Sequence, residues 1–557
     1  MRNIFLKDGF VCLAAATFLS CSKKIDEAYQ NPNADVKVAP EELLPQIVSA
    51  MAANYGGHGT MPDMRYIGQY VQNFSFYLTN SNFDRMGYNN SIGDVAQSTW
   101  RMHYYDIGQN NQRMMQWAAE EEKWDYVGVG KAIEAWSWLT LTDYYENVIL
   151  KEAFNTSKIT FEYSTQPEVY EYVKQLSWQA LENLNKTGGN VNQANLAKGD
   201  AFFYNGDVNK WKKFVYGVLA RVHNRYSNKA SLYKPDSVIY YANLAMTDNV
   251  DNASVKFAAT NISTTNNYFG PFRGNFTGTA ATNPTAIRQG EYIANLLNGT
   301  NESFGGTEDP RGYYMLRLNT NKTIKGVPPI RGQAAITDVK DRPENLWGIS
   351  QDPVASNSSG TGGQGNMPRY IFRNDAPFPI MTASEMHFLK AEAAFKKGDK
   401  GTALTAYKEG IRQNFNMLMT TYNVNIPAGK EITNAIRDAF LANPNVVPTS
   451  SGALTLSKIM MQKYIAMFGH GILETWVDMR RYHYVDADPS GSGQVYAGFT
   501  PPTGGDLFPD NLGELVYRYY PRFNSEYVWN IKELERIGAT RNNYHADPAE
   551  KIWFALP

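Results

Sequence analysis

Only two cysteines, Cys12 and Cys21, occur in 557 residues. A disulfide framework and a multi-cysteine zinc site both need more than that. Histidine is nearly as scarce: seven are scattered with no HExxH pair, so the familiar zinc-hydrolase signature is missing. His470, set between glycines in "FGHGI", reads as a packed histidine rather than a catalytic base. There is no GxxxxGK[ST], no GxGxxG following a strand and no GxSxG, so phosphate-loop, dinucleotide and serine-hydrolase chemistry lack a carrier. Charge of one sign is missing too. The 53 basic and 54 acidic residues nearly cancel and no basic run exists, which argues against a nucleic-acid partner. "DADPSGSG" (486–493) is a faint acidic loop without the closing Glu of a calcium site. No metal and no cofactor are expected. A carbohydrate-active enzyme stays open as an alternative, because a glycosidase needs only two carboxylates about 5–9 Å apart, from anywhere in the chain.

Long hydrophobic runs are also lacking. The longest at the N-terminus, Phe10 to Leu19, follows Arg2 and Lys7 and covers about ten residues, half of what spans a bilayer and the length of a signal-peptide core. It closes on Leu19-Ser20-Cys21, which resembles the lipobox of bacterial lipoproteins. The expectation is a signal peptide over 1–20, removed to leave Cys21 as the acylated first residue. Several acyl chains would hold the protein stably at a membrane, where one would be marginal. Residues 21–40, polar and containing Pro32 and Pro40, read as a flexible tether, and 41–557 as a single domain.

Rings are abundant: 36 Tyr, 27 Phe and 11 Trp. Neutral, ring-rich surfaces suit neutral ligands with apolar faces, sugars above all. Helical periodicity recurs along the chain, beginning with Leu43, Ile47 and Met51 at steps of four, and strand signals are few and short. Helix pairs are predicted at about 97–147, 168–226 and 382–416. The last has a diagnostic pattern. Two helices flank Lys397-Gly398-Asp399, with Ala391, Ala403, Tyr407 and Gly410 at the small–small–aromatic–small spacing of a tetratricopeptide repeat. Such a unit needs stacked neighbours to bury its apolar face. The predicted class is mainly α: tetratricopeptide-like hairpins in a right-handed scaffold, with a large loop-rich region at about 255–375 and 485–510. Long loops inside a compact chain are commonly functional.

Several stretches together resemble one family, the SusD/RagB outer-membrane lipoproteins of Bacteroidetes, in its SusD-like nutrient-binding branch. They are "GDAFFYNGDVNKWKKFVYGVLARVHNR" (199–225), "PIMTASEMHFLKAEAAFKKGD" (379–399), "MQKYIAMFGHGILETWVDMRRY" (461–482) and "YYPRFNSEYVWN" (519–530), with "YQNPNAD" after the lipobox. Gly217, His223 and "YYENVILKEAF" (144–154) depart from the family pattern. The resemblance implies a cell-surface lipoprotein of the outer membrane that captures an oligosaccharide. It would act without catalysis as a lid over a SusC-type TonB-dependent transporter, its tetratricopeptide side facing that partner. A peptide-binding lid of the RagB type is the other cargo class the family offers. Trp211, Phe214, Trp476, Arg480, Glu385 and Glu392 match family motifs within helices, and read as core or structural ion-pair residues.

Ligand contacts are expected instead from rings outside the helices. "YLTNSNFDRMGYNN" supplies Tyr77, Phe83 and Tyr88, with Asn80, Asn82 and Arg85 to bond hydroxyls. The later irregular region supplies Tyr268, Phe272, Arg273 and Trp347. In related glycan binders an early loop and that later region form one aromatic arc, which pairs the two sets here. A shallow site of this kind implies a Kd of roughly micromolar to millimolar.

Overall fold

Helices dominate the computed structural model, which describes residues 37–56, 63–87, 97–270, 286–347, 368–491, 493–519, 524–539 and 551–557. Cys21, the signal peptide and nearly all of the tether lie outside these. α1 (Pro40–Gly56) buries Ile47 and Met51, and α2 (Asp63–Tyr70) follows it. α3 (Gln97–Arg101) runs through a π-helical segment, Met102–Gln109, into α4 (Asn110–Glu120). α5 (Trp124–Tyr145) is apolar around most of its circumference and is correspondingly buried on nearly every side.

α6 (Gln166–Leu184) opens on a capping-box sequence, with the Thr165 amide and hydroxyl donating to the Glu168 carboxylate at 2.8 and 2.9 Å. α7 (Gln193–Gly199), α8 (Val208–Arg225) and α9 (Pro235–Leu244) complete the first half. The sequence pairs the 97–122 region with 126–147. In the fold α5 packs more extensively on α6 than on α4, because its second apolar face needs a cover too.

The second half holds α10 (Glu291–Leu297), α11 (Gly312–Met315), α12 (Ala383–Lys397), α13 (Lys400–Thr421), α14 (Asn434–Ala442), α15 (Leu456–Ala466), α16 (Ile472–Arg481), α17 (Asn524–Trp529) and α18 (Ile531–Arg536). Among the described residues four short strands form two antiparallel pairs. β1 (Phe74–Phe76) lies on β3 (Ile287–Gln289), and β2 (Ala253–Val255) on β4 (Phe378–Met381). The class is mainly α, with tetratricopeptide-like hairpins and few short strands.

The α12–α13 hairpin shows why its spacing mattered. Gly398 takes the left-handed conformation at φ 89° and ends α12, and the Asp399 carboxylate caps α13 by accepting from the Thr402 amide at 3.0 Å. Ala391 and Ala403 are fully buried, and a side chain at Gly410 would press on the Phe388 ring, 3.0 Å from its Cβ. Tyr407 fills the groove and donates to the Val446 carbonyl at 2.8 Å. Tyr407→Phe is expected to cost about 1 kcal/mol in urea unfolding, since it keeps the ring and orphans one acceptor.

At the centre, five helices meet around buried charges. Arg221 bonds Glu385 at 2.7 Å, and Arg225 joins Asp143 at 2.8 Å to Glu474 at 2.7 Å. Arg481 holds Glu392 at 2.7 Å and Asp478 at 2.6 Å, and Lys463 reaches Asp478 at 2.7 Å. Glu385 and Glu392 are thus structural. Arg480 differs from the ion-pair reading: its guanidinium lies 3.6 Å over the Trp476 ring and donates to the Tyr517 carbonyl, while its neighbour Arg481 takes the carboxylates. Gly217 has a packing reason, because a Cβ there would stand 2.1 Å from the Met381 sulfur of β4 and force that side chain to move. Among the described residues no helix is long and apolar enough to cross a membrane.

Candidate functional site

β1 delivers the early loop. Its register against β3, Phe74 opposite Gln289 and Phe76 opposite Ile287, leaves residues 77–87 to emerge at one end of the pair. The loop is polar and folds on itself. The Gly87 amide donates to the Asn82 carbonyl at 2.6 Å and the Arg85 amide to the Ser81 carbonyl at 3.2 Å. Asn80 sits in the left-handed region at φ 59°, which Asn tolerates better than most residues. Its amide donates to the Ile330 carbonyl at 2.7 Å, and the Gln333 amide donates back to the Tyr77 carbonyl at 2.8 Å. A second chain segment, 328–335, is therefore zipped along the first.

Asp84 pins the two together from inside. Its buried carboxylate accepts from the Phe76 amide at 3.3 Å and from the Ile330 amide at 3.1 Å. Burial pushes this carboxyl up to about 7, against the smaller opposing pull of those two amides. Between pH 3.8, where the unfolded Asp releases its proton, and about 7, the folded form alone retains it, so this group's contribution falls as pH rises and levels off above 7. Asp84→Asn is expected to flatten that part of the profile, which urea midpoints at pH 5 and pH 8 for both proteins would read.

The candidate residues divide on inspection. Phe83 lies parallel on Tyr66 of α2, with centroids 3.7 Å apart and planes 2° off, giving a half-buried double ring at the loop's surface. Tyr77 is half-buried with the Arg288 guanidinium 5.4 Å from its centroid. The Asn80 side chain is exposed and Asn82 half-buried. Arg331 and Asp506 form an exposed bridge at 2.5 Å, and Arg331 lies on the segment zipped to this loop. The Tyr66–Phe83 stack is a ledge of rings on this loop, and Tyr77, the amides of Asn80 and Asn82 and the Arg331–Asp506 pair belong to the same loop and the segments bonded to it; rings stack on a sugar face and amides and charged groups bond its hydroxyls.

Arg85 acts as a clamp. It donates to the carbonyls of Gly505 at 3.0 Å, Asp506 at 3.3 Å and Leu507 at 2.9 Å, and the Phe508 amide returns a bond to the Arg85 carbonyl. Its donors hold the 504–508 loop against the early loop.

Trp347 corrects the expectation outright. It is fully buried, its indole donates to the Phe269 carbonyl at 2.5 Å and its ring packs on Phe372. A large ring in an irregular segment was drawn inward by the apolar area it buries. Tyr268 is half-buried but belongs elsewhere. Its hydroxyl bonds Ser49 of α1 at 3.0 Å and its ring meets Phe257. The contacts of the described residues do not join it to the early loop. Tyr88, Phe272 and Arg273 lie outside the described residues. Tyr66, Asp84, Arg331 and Asp506 were missed. Tyr66 sits in a helix and the others look like ordinary loop polar residues, so no local signal singled them out.

His470 is buried, bonded to the Tyr370 hydroxyl at 3.0 Å and pushed down to about 3 by burial, which fits a packed residue. Asp488 of the acidic loop spends its oxygens on the amides of Ser457 at 2.5 Å and Ser490 at 2.8 Å, capping α15. Among the described residues no three His, Cys, Asp or Glu side chains cluster as metal ligands would.

The SusD-like family model described as starch-binding and associating with the outer membrane matches residues 32–500. Several solved structures share the fold. A SusD/RagB family protein from Bacteroides thetaiotaomicron is 19% identical, with a TM-score of 0.65, over 93% of this chain and 99% of its own. A SusD homologue from Bacteroides fragilis is 18% identical, with a TM-score of 0.64, over 93% of this chain and 100% of its own. A structure named simply as a chitin-binding protein is 19% identical, with a TM-score of 0.65, over 93% and 100%. No curated protein sequence matches.

Proposed function

This chain belongs to the SusD-like family, and from that premise we propose that it captures a neutral oligosaccharide at the cell surface and passes it, chemically unchanged, to a SusC-type TonB-dependent transporter. Acyl chains on Cys21 tether it to the outer membrane, with residues 21–40 giving it reach to sit on that partner.

The observation that carries this reading is the ledge. Phe83 stacked on Tyr66, with Tyr77 at the start of the same loop, offers half-exposed rings on a loop held by hydrogen bonds from two remote segments, 328–335 and 504–508. Such a surface binds without ordering itself first, which favours a shallow site that both captures and releases. The family's own description, starch-binding, and a chitin-binding neighbour of the same fold both support a glycan as cargo.

Co-purification of the full lipidated protein from native outer membrane tests the lid role. A TonB-dependent transporter should be recovered with it, and should be lost after Cys21→Ser releases the protein from the membrane. Recovery of the intact, membrane-held protein without any transporter would remove the lid from this account while leaving glycan capture standing.

A further inference from the structure

A cleft of about 360 Å³ opens between α1, the turn after α7 and the chain leaving β2, and it contains none of the ledge residues. Its apolar part is made by Pro45 and Val48 of α1, Val255 of β2, and the rings of Phe202 and Phe257. Phe202 is 51% exposed among the described residues, an unusual setting for a phenylalanine. The two rings are placed by design of the backbone: the Lys256 amide donates to the Phe202 carbonyl at 2.8 Å. Tyr268 braces the wall from behind, its ring on Phe257 and its hydroxyl on Ser49. Gly199 closes one end because the chain approaches α1 there; a Cβ would stand 3.1 Å from the Leu44 Cβ and 3.2 Å from the Glu41 Cα.

The rim carries opposite charges on opposite walls, Glu42 from α1 and Lys256 from the chain after β2. Among the described residues neither forms a salt bridge, although Glu41, one residue earlier, is paired with Lys123 at 2.9 Å. Lys256 acts through space on the buried Asp200 carboxyl without touching it. Burying both charges under a neutral sugar would give each only hydroxyl partners. A ligand that brings its own ammonium and carboxylate answers both.

We propose that this cleft is a second binding site, for a short zwitterionic peptide with apolar side chains. The side chains occupy the Phe202–Phe257–Val255 surface, the terminal ammonium faces Glu42 and the terminal carboxylate faces Lys256. The volume suits a dipeptide, at the small end of ligand cavities, which run roughly 300–1,000 Å³. The site goes beyond the glycan reading and stands whether or not the ledge binds sugar.

Calorimetric titration of the purified full chain with the dipeptide Leu-Phe tests it. Saturable binding is expected, weakened at least about tenfold when both termini are blocked as N-acetyl-Leu-Phe-amide. Glu42→Gln and Lys256→Met, both at exposed positions, should each weaken Leu-Phe binding and leave glycan binding unchanged. Phe202→Ala should weaken the free and blocked dipeptides alike. No saturable heat up to about 10 mM dipeptide would overturn the proposal. So would equal affinity for the blocked form, or displacement of the dipeptide by maltotriose, which would assign the cleft to sugar.

Discussion

Arg225→Ala is expected to destabilise the protein by about 3–5 kcal/mol, the scale for breaking a buried ion pair from one side. Arg225 is fully buried and is the group that joins Asp143 of α5 to Glu474 of α16. Without it two buried carboxylates face each other with fewer compensating donors. Burial alone would raise the Glu474 carboxyl, but Arg221 and Arg225 together outweigh burial and hold it below the usual carboxylate range. Asp143 goes the other way: burial raises it, and Glu474 adds to the rise, against the pull of Arg225. Loss of Arg225 should therefore drive proton uptake at this pair as well as unfolding. Chemical denaturation at pH 8 and pH 5 reads both effects, with the deficit larger at pH 8, where the carboxylates must stay charged. An isosteric apolar replacement of the whole triad would test specificity separately from stability, because well-packed apolar residues can match a buried ion pair in free energy.

Gly332→Ala is the second large effect, and it falls on the ledge. Gly332 adopts φ 63° and ψ −173°, a region open essentially to glycine alone. A Cβ there would also stand 2.6 Å from the Leu78 carbonyl carbon and 2.8 Å from the Tyr77 carbonyl oxygen. Both atoms are backbone, so the segment 328–335 must lift away rather than rotate a side chain. Lifting breaks the Gln333-to-Tyr77 and Asn80-to-Ile330 bonds that hold the early loop. The strain alone is worth about 1–3 kcal/mol. Glycan affinity should fall together with amide-exchange protection at Asn80 and Gln333. A variant that loses affinity while keeping that protection would show that the loop's support is not what positions the rings.

The scaffold was largely legible because its signals are local. The Ala391–Ala403–Tyr407–Gly410 spacing marks a hairpin, and Gly398-Asp399 marks its turn, since a left-handed end and a capping carboxylate each need a particular residue type. What was not legible depends on partners far away in the chain. Asp143, Arg225 and Glu474 carry no mutual spacing that could be read, and the same holds for Asp84 beneath Ile330. The site shows the same divide. Phe83 and Tyr77 lie in a loop that is polar enough to be recognised. Trp347 and Tyr268 lie in irregular chain, where no periodicity separates an inward ring from an outward one, and they went to the core and to a different wall. Arg85 lies in the loop as expected, but its clamp on the carbonyls of residues 505–507 has no spacing that the sequence displays.

The central claim is that the Tyr66–Phe83 stack and Tyr77 bind a neutral glycan. Its most direct test is a single titration series: the full chain and the Tyr77→Ala/Phe83→Ala double variant against malto- and chito-oligosaccharides. At least one series is expected to bind the native protein with a Kd of roughly micromolar to millimolar, and the double variant at least about tenfold more weakly. An oligosaccharide that binds both proteins equally well would place the glycan site somewhere other than the early loop.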